Sequence, residues 1–124
     1  MIEHRPARTE ELPTSSVEGF ARFIMDEREG TLKPSHLEAV FAMKHIELID
    51  EGLLPRKDHL SPSGLEYYQG KTYQASQTVR NHLRIDDKGD WAVNFSSEED
   101  AIEFIEEQAQ FFAEALQRQL KEEI

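Results

Sequence analysis

The side chains that could transfer a proton or bind a metal are five histidines, His4, His36, His45, His59 and His82, set among 25 aspartates and glutamates. General acid–base catalysis needs such a group held within reach of a substrate proton, and a metal site needs several converging at ligand spacing. No recognised spacing occurs. There is no H-E-x-x-H pair, no G-x-S-x-G elbow, and no G-x-G-x-x-G or Walker-type loop, the 6 glycines being dispersed at turn or cap positions. His82 and Asp86 lie four apart, but a strand pattern begins there, so the pair reads as a surface contact. With no cysteine there is no thiol nucleophile, disulfide or thiolate metal site. The residues therefore predict a non-enzymatic protein with no catalytic residue, cofactor or metal.

A different chemistry is suggested between Tyr67 and Ile85, where no acid occurs. Lys71, Arg80 and Arg84 are basic there, and Asn81 and its neighbours are hydrogen-bonding types, the combination that meets phosphates and base edges. Lys71, Arg80, Asn81 and Arg84 are the candidate DNA-contacting residues.

The elements that must position these residues can be read from spacing. Residues 1–13 carry mixed charge and two prolines, and read as an arm ahead of a single domain over 14–124. Ser15 with Glu18 has capping-box spacing, and Val17, Phe20, Ala21 and Ile24 then recur at helical intervals up to Gly30. Ser35 with Glu38 repeats the box, opening a second helix whose wide apolar arc (Leu37, Val40, Phe41, Ala42, Met43, Ile46, Leu48, Ile49) marks it as the central one, closed by Gly52. Ser61-Pro62 starts a third helix running to about Arg84 unless Gly70 divides it. Ile85, the turn residues Asp86 to Asp90, and alternating Trp91, Val93 and Phe95 read as a short β-hairpin. Ser96 with Glu99 then opens a last helix, free of Gly and Pro to the end of the chain.

If Gly70 marks a turn, a helix over 75–83 followed by the 85–95 hairpin resembles, in element order, the winged-helix DNA-binding proteins across residues 34–95. That resemblance implies a transcriptional regulator with the last helix as its dimerisation element. If Gly70 lies within one long helix, the segment is instead a polar-faced helix of a bundle.

At about 100° per residue, Ile102, Ile105, Ala109, Phe112, Ala113, Leu116 and Leu120 share one arc of the last helix, while Phe104, Phe111 and Ala115 lie on the opposite side. The second stripe would be wet in a monomer, so it predicts self-association through Phe104, Phe111 and Ala115. Residues 96–124 carry −7 of the net charge of −11, read as a solvated acidic helix face. That balance excludes a general nucleic-acid coat protein.

The sequence thus predicts a mainly α (small α+β) fold, a four-helix domain with one short β-hairpin before a long C-terminal helix, winged-helix-like in the alternative. The leading function is a small acidic regulatory protein, a homodimer that also engages another protein; the alternative is DNA binding through residues 71–84. No run of 18 apolar residues or leader pattern occurs, so a cytoplasmic protein without a membrane partner is expected.

Overall fold

The computed structural model describes residues 16–85 and 90–121, with the side chains of Lys57 and Lys121 left aside. The predicted arm, Ser15 and most of the turn before Trp91 lie outside them. The elements are α1 (Val17–Glu27), β1 (Thr31–Leu32), α2 (Pro34–Asp50), a 3-10 turn (Lys57–His59), α3 (Pro62–His82), β2 (Val93–Asn94) and α4 (Glu98–Lys121). The mainly helical class with a small antiparallel β element and a long last helix is what the spacing predicted.

Local chemistry sets the helix ends. Ser16, one residue after the predicted cap, accepts the Gly19 N–H at 3.0 Å and starts α1. Ser61 accepts the Gly64 N–H at 3.1 Å, with Pro62 first in α3. α2 departs from the Ser35/Glu38 box: Lys33 is its N-cap, Pro34 takes the first helical position, and His36 Nδ1 accepts the Lys33 N–H at 2.9 Å. Glu38 is thereby left to act elsewhere. α2 ends at Gly52 with φ 78°, where the Leu53 N–H reaches back to the Leu48 carbonyl at 2.9 Å. At α4 it is Ser97, not Ser96, that accepts the Asp100 N–H, at 3.1 Å.

α3 runs unbroken through Gly70, which corrects the helix-turn-helix alternative. A lone glycine in a helix costs only about 1 kcal/mol against alanine, and the packing of Tyr68, Ala75 and Val79 on either side holds the helix continuous.

β2 pairs antiparallel with β1, Thr31 opposite Asn94 and Leu32 opposite Val93, so the partner of the 93–95 segment is the link between α1 and α2 and not the chain ending at Ile85. Two further bonds reinforce this clasp: Phe95 N–H to the Gly30 carbonyl at 2.8 Å, and Thr31 Oγ1 to Asn94 Oδ1 at 2.7 Å.

α4, rather than α2, is the central helix, packing against α1, α2 and α3. It can do so because its buried arc is wide. Ala115, Ala101, Phe112, Ile105, Leu116, Ala109 and Ala113 are all buried and, at about 100° per residue, follow one another round roughly 160° of the helix. Phe112 stacks on Phe41 of α2 with centroids 4.7 Å apart.

Candidate functional site

Of the three residues proposed for self-association, Ala115 is buried and Phe104 and Phe111 are partly buried within the chain. Phe104 lies against Phe95 and Trp91, with ring centroids 5.5 and 6.4 Å away, Phe111 meets the His82 ring edge-on at 4.8 Å, and Ala115 is buried. The β1–β2 clasp and α3 supply the cover that the helical wheel alone left open to a second copy. Phe104, Phe111 and Ala115 therefore do not form an exposed stripe.

The four candidate DNA contacts do not share a face either. Lys71 and Arg80 are nine residues apart on one continuous helix, which at about 100° and 1.5 Å per residue sets them on opposite sides and roughly 13 Å apart along the axis. The Lys71 ammonium lies over the Tyr67 ring, 5.4 Å from its centroid. Arg80 is half-buried and donates to Glu38 Oε2 at 2.9 Å, the carboxylate released when His36 took over the cap of α2. Arg84, at φ 62°, closes the C-terminal end of α3, beyond which Ile85 N–H bonds the Arg80 carbonyl at 3.0 Å. Asn81 is exposed on a third side of the helix.

Surface hollows lie between the helices, one of them a shallow depression of about 460 Å³ beside the Arg80–Glu38 pair. α2 and α3 both lean on α4 and leave a cleft of about 300 Å³ between them, floored by Phe41 and Phe112 and edged by Glu38, His45, Thr72 and Tyr73. His45 Nε2 and the Tyr68 hydroxyl hydrogen-bond across from α2 to α3 at 2.5 Å. Burial pushes the Tyr68 phenol up to about 12, so it stays protonated near neutrality and tethers the helices. Tyr73 stands at the lip of the cleft, 65% exposed.

The hollow between α1, α2 and α4 is also mostly apolar and is more strongly charged at its edge. Val17 of α1, Met43 and Ile46 of α2 and Ala109 of α4 line two adjoining depressions of about 350 and 460 Å³. Ile46 is 56% exposed there, although the 3.6-residue pattern counted it among the core positions. Four carboxylates stand round the groove: Glu47, Asp50 and Glu51 on α2, and Glu106 on α4. Among the described residues the single basic side chain lining it, Lys44, is bonded to Glu47 at 2.9 Å. The wide α2 arc reads in the sequence as the mark of a central helix, and nothing in it says which residues the neighbouring helices leave uncovered.

Three of the histidines, His36, His45 and His82, thus have structural surroundings. Burial, then the charges of Arg28 and Lys33, lower the pKa of His36, in keeping with its Nδ1 accepting the Lys33 N–H. Among the described residues no group of three or more His, Asp or Glu is gathered so as to hold a metal ion, and no helix is long and apolar enough to cross a membrane. Compared with known proteins, the chain matches no family model, no curated protein and no solved structure.

Proposed function

We propose that this chain is a non-enzymatic protein-interaction module whose binding surface is the groove between α1, α2 and α4. The observation that carries the proposal is Ile46, a large aliphatic side chain 56% exposed between Met43 and Val17 in a hollow flanked by carboxylates. A single exposed aliphatic residue is ordinary on a protein surface. One set in a concave, mostly apolar groove with a polar edge has the make-up of an interface core and rim. The groove runs from Met43 to the α2 cap Glu51, eight residue steps or about 12 Å, room for two turns of a partner helix.

A photo-crosslinking residue in place of Ile46, expressed in cells of the source organism, tests this reading beside the same residue in place of Glu66. A discrete protein adduct from position 46 that Met43→Glu abolishes, and that position 66 does not give, is the expected result. The same sample is titrated against mixed-sequence duplex DNA by fluorescence anisotropy at low and moderate salt. Salt-dependent binding that Arg80→Ala and Arg84→Ala weaken would replace the interaction reading with that of a DNA-binding regulator.

A further inference from the structure

Resting on that groove as the binding surface, we infer that its occupant is a basic amphipathic helix of another protein, with aliphatic side chains over Val17, Met43 and Ile46 and lysine or arginine against Glu47, Asp50, Glu51 and Glu106. The charge of the groove makes the choice. Among the described residues four carboxylates stand against one lysine, itself bonded to Glu47, and leave a net negative rim around an apolar floor. A helix reading i, i+3, i+4, i+7 in apolar residues with cations on its flanks satisfies both parts at once.

The α2 terminus points the same way. The carbonyl end of a helix carries partial negative charge, and cations in the last turn are what stabilise it. α2 has no basic residue in its last turn and instead ends on Asp50 with Glu51 as its cap. Like charges are thus gathered at the end of the groove where the helix itself disfavours them, and a cation arriving from a partner relieves both the carboxylates and the dipole. A second copy of this chain does not fit, because its net charge of −11 would set acid against acid.

The probes are synthetic amphipathic peptides of about 18 residues, long enough to form a helix, with leucine on one face and lysine, glutamine or glutamate on the other. Their dissociation constants are measured by fluorescence anisotropy with the full chain. The lysine peptide is expected to bind at least about tenfold more tightly than the glutamine peptide, and the advantage to shrink as salt rises. Glu47→Lys with Asp50→Lys should remove that advantage, whereas Glu66→Lys with Asp90→Lys, the same charge change outside the groove, should leave most of it; thermal melts confirm that both variants fold.

If the lysine and glutamine peptides bind equally and Ile46→Ser weakens both, the groove stands as the binding surface and the basic partner is overturned. Equal losses from the two charge-reversed variants overturn it too, since the peptide would then be answering to net charge alone. Tighter binding of the glutamate peptide does the same. No binding of any peptide overturns the groove together with its partner.

Discussion

Replacing Gly30 by alanine should loosen the β1–β2 clasp by an amount that can be worked from its geometry. Gly30 sits at φ 75°, where a residue with a Cβ costs about 1–2 kcal/mol. An alanine Cβ there would lie 2.8 Å from the Phe95 carbonyl oxygen, while the Phe95 N–H is bonded to the Gly30 carbonyl at 2.8 Å. Both contacts are backbone to backbone, so relieving the clash means moving Phe95 away and weakening that hydrogen bond, worth about 0.5–1.5 kcal/mol net. The stiffer unfolded chain returns roughly 0.4–1 kcal/mol. The balance is a loss of about 0.5–3 kcal/mol, or roughly 2–12 °C in melting temperature for a domain of this size. Circular dichroism melts and urea titrations measure the loss. Trp91, the sole tryptophan, reports it locally through its contact with Phe104, and its emission should shift to the red as the clasp opens. A variant that melts within about 1 °C of the parent with unchanged Trp91 emission would refute the assignment of β1 as the partner of β2.

Three further outcomes follow from the same packing. Gly70→Ala should stabilise the chain by about 0.5–1 kcal/mol in a thermal melt, because Gly70 is exposed within a continuous helix and a Cβ there meets nothing within 4 Å; a marked loss would indicate a turn in α3. Phe104→Ser with Phe111→Ser should leave the sedimented mass unchanged while lowering stability by about 1–2 kcal/mol per site, less than for a fully buried phenylalanine; a halved mass with an unchanged melt would restore the self-association surface. His36 has a lowered pKa in the fold against 6.5 unfolded, so the unfolded chain binds its proton first on acidification; the stability it supports is present above 6.5 and lost as pH falls below that value. Urea titrations from about pH 7 to pH 5 should show that loss, and His36→Gln should flatten it; equal slopes in parent and variant would remove His36 as a cause.

The helices were legible because their signals are local. Ser61-Pro62 and Gly52 act on backbone groups within five residues, and the apolar recurrence in α1 and α4 needs only the helical period to be seen. The caps at Ser16 and Ser97 each fell one residue from the expected serine, since adjacent serines offer the same oxygen and only the path of the entering chain chooses between them. The candidate groove was not legible. Val17, Met43 and Ile46 carry the same periodic signal as core residues, and nothing in their spacing says which of them a neighbouring helix will fail to cover.

The sequence by itself determined that this chain is mainly helical, where its helices start and stop to within a residue or two, and that its last helix is acidic with apolar residues beyond a single stripe; these follow from bonds and periodicities spanning a few residues. Tertiary structure alone decided what covers each face. β1 is only two residues long, below any periodic signal, yet its pairing with Val93 and Asn94 draws Trp91 and Phe95 over Phe104. His36 caps α2, so Glu38 is free to bind Arg80, and a basic island in the sequence becomes an ion pair in the fold. Which apolar residues are left to a partner is fixed by contacts between segments as distant in the chain as Phe41 and Phe112, and those depend on how the helices pack rather than on any one helix's own pattern.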